Sequence, residues 1–98
     1  MKQNKFMAEI KIKKQKEAED SWRFEVEIKE EDSQTTHFVT VDKDYFTRFS
    51  GKFSLPEELV KKSFEFLLEH EPKESILSEF NISVIKTYFP EYEEEIKK

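Results

Sequence analysis

Residues 22–29 read Trp22-Arg23-Phe24-Glu25-Val26-Glu27-Ile28-Lys29, an unbroken alternation of large apolar and charged side chains. In a strand successive side chains point to opposite faces, so this stretch predicts a half-buried β-strand with Trp22, Phe24, Val26 and Ile28 inward. The same period runs upstream. Phe6, Ala8, Ile10 and Ile12 fall on one side, with Met7, Glu9, Lys11 and then Lys13 on the other. Between the two runs lies the polar segment KKQKEAED (13–20), which has neither Gly nor Pro and so predicts a longer or frayed hairpin connection instead of a tight glycine turn. Downstream, residues 35–41 place His37, Val39 and Val41 on one face and Thr36, Phe38 and Thr40 on the other. A two-residue turn near Asp32 and Ser33 keeps Ile28 and His37 on the same face. The expected unit is a three-stranded antiparallel meander over about residues 5–42.

Past Val41 the period becomes helical. Tyr45, Phe46 and Phe49 are spaced for a short helix that Asp42 or Asp44 caps, and Gly51, the chain's single glycine, stands where a left-handed stop is wanted. Ser54-Leu55-Pro56-Glu57 has the form of a capping box with Pro just inside the helix start. The helix it opens carries Leu59, Val60, Ser63, Phe64, Phe66, Leu67 and Leu68 and ends at Pro72. A second capped stretch over about 73–80 presents Ile76, Leu77 and Phe80, and Asn81 caps a further helix bearing Ile82, Val84, Ile85, Tyr88 and Phe89. After Pro90, Tyr92 and Ile96 lie four residues apart and predict one more amphipathic turn. The fold class is therefore α+β: one domain over 1–98, the meander followed by three to four short helices (about 43–97) packed on one sheet face.

Composition narrows the setting. Hydrophobic residues make up 36% of the 98 and charged residues 40%, a balance that leans towards disorder; ten Phe, three Tyr and one Trp argue for a packed core instead. With no cysteine, disulfides, thiol catalysis and cysteine-ligated metals are excluded. No apolar run reaches the ~18 residues of a membrane span or forms a signal peptide, so no membrane association and a cytoplasmic location are expected. The net charge of −5 disfavours nonspecific attraction to nucleic acid.

From VTVDKDYFTRFSG through LPEELVKKSFEFLLEHEPKESILSEFNISVIKTYFPEY, the C-terminal half resembles small uncharacterised prokaryotic proteins. The resemblance implies a recurring fold and carries no activity, ligand or catalytic residue onto this chain.

The chemistry-bearing residues read as structural. His37 lies on the inward parity of its strand, where packing and hydrogen bonding account for it. His70 sits at a helix C-terminus, where a cation is favoured. Glu69, His70, Glu71 and Glu74 lack the spacing of a zinc site. The acidic runs look solvated, no serine has a partnered base, and one glycine cannot build a phosphate-binding loop. A chain this short is also expected to struggle to enclose ~300 Å³ without a second subunit. No catalytic residue, cofactor or metal is expected.

Two binding readings remain. The favoured one is a non-enzymatic protein-interaction or accessory module with an unidentified protein partner, using an apolar spot at Phe38 and Met7, an open edge at the first or third strand, or the aromatic group of Tyr88, Phe89 and Tyr92. The alternative is a small nucleic-acid binder. It would use Lys11, Lys13, Arg23 and Lys29 on the outer sheet face, or Lys86 in ILSEFNISVIKTYF (76–89), which has the cadence of a helix-turn-helix. Glu9, Glu25 and Glu27 on the same face, and the lack of arginine in the second helix, weigh against it.

Overall fold

A computed structural model of the chain describes residues 8–98. Strands β1 (Glu9–Glu17), β2 (Ser21–Glu30) and β3 (Ser33–Asp42) form the antiparallel meander, and a short β4 (Glu79–Asn81) joins β3 in parallel. The sheet is thus four-stranded and mixed, in the order β1-β2-β3-β4, where the sequence predicted three antiparallel strands. Register sets Ile12 opposite Val26, Val26 opposite His37 and Phe24 opposite Val39, so the inward residues of three strands meet on one face. Phe24, Val26 and Ile28 are fully buried there.

Both hairpins follow from their connections. β1 runs on to Glu17 through a bulge between Lys14 and Lys16, and the Ala18 N–H donates to the Ser21 carbonyl at 2.8 Å to close the loop. Glu30 pairs with Ser33, leaving Glu31 and Asp32 as the two-residue turn that the parity of Ile28 and His37 required. Phe6 and Met7, which the alternation placed at the start of the first strand, lie outside the described residues.

Four helices follow: α1 (Lys43–Phe46), α2 (Pro56–His70), α3 (Ile85–Tyr88) and α4 (Tyr92–Lys97). The start of α2 differs from the expected box. Leu55 is the cap residue, and the Glu58 carboxylate reaches back to accept from the N–H groups of Ser54 (2.8 Å) and Leu55 (3.1 Å). Only the acidic half of the box is therefore used. At the other end Glu71 is extended, as a residue before proline must be, and the helix stops. Gly51 supplies no left-handed stop, because no described residue has a positive φ. The turn Thr47–Phe49 after α1 is a 3-10 turn whose backbone L-residues adopt freely.

Residues 73–80 depart most from expectation. Only Lys73–Ser75 is helical, as a single 3-10 turn, and the chain then extends into β4. Ile76 and Phe80 are four apart, a separation that shares one face of a helix or of a strand alike, so periodicity could not distinguish them. Tertiary contacts decide: the Phe38 N–H donates to the Ser78 carbonyl at 2.8 Å, and the Phe80 ring packs 5.9 Å from Phe64.

The core is one cluster between the inner sheet face and the helices. α4 closes it. Tyr92 is 0% exposed, its ring 5.4 Å from Phe66 and its hydroxyl 2.5 Å from Ser63 Oγ, and Ile96 is buried beside it. Among the described residues every buried side-chain polar atom has a partner, and no helix is long and apolar enough to cross a membrane.

Candidate functional site

The segment that carries the chain from α2 to β4 builds the main concavity, and two polar clips hold it in place. Lys73, only 2% exposed, is the first. Its ammonium donates to Glu74 (2.7 Å), Glu30 (2.9 Å) and the Ser33 hydroxyl, fastening the 3-10 turn to the β2–β3 turn. The carboxylates of Glu74 and Glu30 raise its pKa, since both favour the charged form. His37 is the second clip. A carbonyl can only accept, so His37 Nδ1 carries a proton and donates to the Leu77 carbonyl at 2.7 Å, while Nε2 lies 2.8 Å from the Thr35 hydroxyl. Both ring nitrogens are thus engaged in structure, as the inward parity of His37 led one to expect.

Held this way, residues 75–77 stand apart from the end of α2 and from α3, and a groove of about 370 Å³ opens between them. Buried Leu67, Ile76 and Ile85 form its floor, Leu77, Tyr88 and Phe89 its walls, and Glu71 and Ser75 its polar rim. Chain length predicted no such volume. The groove reaches it by staying open to solvent along one side instead of enclosing the space. Tyr88 is 64% exposed and Leu77 48%, two of the three large apolar side chains exposed among the described residues. Phe89 is fixed from behind: its ring meets Phe66 edge-on at 5.7 Å and His70 at 5.0 Å. His70 is itself held by donating Nδ1–H to the Phe66 carbonyl at 2.9 Å, with Glu91 3.6 Å from Nε2.

Of the residues read as partner-binding, Tyr88 alone lines this groove in an exposed position. Tyr92 is corrected: it is sealed in the core, and burial raises its hydroxyl pKa. Phe38 is corrected too, because the Arg23 guanidinium lies 5.2 Å over its ring and leaves it half-buried. Met7 lies outside the described residues. The edge of β3 is taken at residues 38–40 by β4, leaving β1 as the open edge at that side of the sheet.

The basic residues do not converge. Register sets Lys29 opposite Glu9, Lys11 opposite Glu27 and Lys13 opposite Glu25 on the outer face, and Arg23 pairs with Glu79 at 2.9 Å. Lys86 is elsewhere, 5.1 Å above the Tyr45 ring and 3.8 Å from Glu93. The helix-turn-helix reading of 76–89 is overturned, since Glu79–Asn81 is a strand and α3 spans one turn. Tyr45 donates to Glu93 at 2.7 Å, and burial followed by this bond raises its pKa, so its proton is firmly held. Among the described residues no three His, Asp or Glu side chains are grouped to hold a metal ion.

Leu77, Glu71 and Ser75 were missed as a group. Their one sequence signal is that adjacent Ile76 and Leu77 cannot both face the interior of an extended chain. In comparisons with protein-family models, with curated proteins and with solved structures, nothing matches the chain.

Proposed function

We propose that this chain is a non-enzymatic protein-interaction or accessory module that receives an apolar segment of a partner protein in the groove between α2, residues 75–77 and α3. The observation that carries the reading is the pairing of exposed Leu77 and Tyr88 above a floor of buried aliphatic side chains. Fully covering a large apolar side chain contributes about 1.5–3 kcal/mol, and a tyrosine wall adds a hydrogen-bonding tip to an apolar body, a combination enriched at interfaces. The groove's position on clipped backbone means little ordering is needed before a partner docks. An acidic, cysteine-free chain suits the cytoplasm. The nucleic-acid alternative has less support, because its sheet-face cations stand opposite carboxylates.

Affinity capture from the source cells with the wild-type chain and with a Leu77→Ser/Tyr88→Ala variant tests this. A partner held by the wild type should be lost by the variant and kept by a Lys11→Glu/Lys13→Glu control. Equal recovery on wild type and groove variant would remove the groove from the interaction.

A further inference from the structure

We infer that the segment received by the groove carries a lysine or arginine beside its large apolar side chains, and that Glu71 reads that charge; this rests on the docking proposed above. Glu71 is the one charged residue among those lining the groove. Nearby carboxylates are already engaged, Glu74 by Lys73, Glu79 by Arg23 and Glu91 by His70. The Glu71 carboxylate has no hydrogen bond or ion pair among the described residues. It also stands at the C-cap of α2, a fifteen-residue helix, where the unpaired carbonyls of the last turn add a negative field of their own. Carboxylate and helix end therefore act with the same sign at one rim.

An occupant has three ways to meet that rim. An acidic segment would be repelled. A wholly apolar segment would strip water from Glu71 and leave the charge without a partner, which costs more than the added contact returns. A basic side chain beside the apolar ones satisfies both halves of the surface, and the apolar walls strengthen the attraction by lowering the local dielectric. The complementarity is to a flexible cation on an amphipathic segment, not to an isolated ion, because a single carboxylate with no converging ligands cannot hold a metal.

The test is selection of random dodecapeptides displayed on phage against the immobilised full chain, keeping only clones that the Leu77→Ser/Tyr88→Ala variant fails to bind. Retained clones should share a Lys or Arg close to large apolar residues. With a synthesised, fluorescein-labelled clone, Glu71→Gln should weaken binding about 2- to 10-fold, the range expected for an ion pair at a partly exposed helix end. Glu71→Lys should weaken it further, and a Lys→Glu or Arg→Glu peptide should recover binding to that variant. Groove-dependent clones without a basic residue, or equal binding to wild type and Glu71→Lys, would overturn this inference while leaving the docking reading intact. Absence of any groove-dependent clone would overturn both. A dimer in light scattering that the groove variant abolishes would make a second copy the occupant and overturn the partner assignment.

Discussion

Replacing Ser63 by Ala should destabilise the chain more than replacing Tyr92 by Phe, and the double replacement should cost less than the two single effects combined. Ser63 donates its hydroxyl hydrogen to the Leu59 carbonyl at 2.7 Å, so in the 2.5 Å contact between Ser63 and Tyr92 the tyrosine is the donor. Tyr92→Phe removes one net hydrogen bond and leaves Ser63 still partnered, a loss of about 0.5–1.5 kcal/mol. Ser63→Ala instead strands the Tyr92 hydroxyl, fully buried, with no acceptor, a loss of about 1–3 kcal/mol. With both groups gone nothing is stranded. The coupling between the sites should then be on the order of 1–2 kcal/mol, well above the few tenths seen for independent positions. Urea unfolding followed by far-UV circular dichroism and by the fluorescence of Trp22, the sole tryptophan, measures all four variants. Each kcal/mol corresponds to about 4–8 °C in Tm for a domain of this size. Additive single effects, or a larger loss for Tyr92→Phe than for Ser63→Ala, would refute the assignment of donor and acceptor.

Three further outcomes are expected. Burial raises the pKa of Tyr92 above its unfolded value near 10, so the unfolded chain releases a proton first and stability falls as pH rises beyond about 10, by about 1.4 kcal/mol per pH unit for this group. Tyr92→Phe should flatten that alkaline limb, and an unchanged limb would show that another group drives it. Gly51→Ala should stabilise by about 0.4–1 kcal/mol in urea unfolding, because Gly51 is not left-handed and an added Cβ meets nothing within 4 Å; a loss of stability would contradict that backbone. Lys73→Ala should speed amide hydrogen exchange at Phe38, whose N–H is bonded to Ser78, more than at the centre of β2. Unaltered protection at Phe38 would show that the Lys73 clip does not hold the segment.

Strand β2, the Glu31-Asp32 turn and α2 were legible because each rests on a local signal: strict alternation, parity across a turn, and a broad apolar stripe beginning at Pro56. What failed depends on neighbours distant in sequence. The extended path after Ser75 is chosen by the free edge of β3, which residues 76–81 cannot announce by themselves. Gly51 fits a helix stop by composition, yet only its φ decides whether that property is used. Tyr92 and Ile96 have the same spacing whether they dock on their own domain or on a partner, and α2 supplies the dock. Arg23 covers Phe38 because both are adjacent to Glu79, a proximity that exists only once β4 is placed. The candidate site was half readable. Tyr88 stood out as an aromatic of the helical end, but the groove combines Leu67, Ile76 and Tyr88 from three separate segments.

The parallel bridge between β3 and β4 has a consequence for how binding and folding are linked. His37 and Leu77 meet across forty positions of chain, so this wall of the groove carries a loop-closure entropy that the two hairpins do not. Local pairing of β1 to β3 can come first, whereas the wall is complete only when the long excursion through α2 has returned. A ligand seated there consequently recognises the finished molecule and not its partly ordered precursors. At a free concentration about a hundredfold above its Kd, it would deepen the native basin by about 2.7 kcal/mol, making the partner a thermodynamic chaperone of the fold it binds.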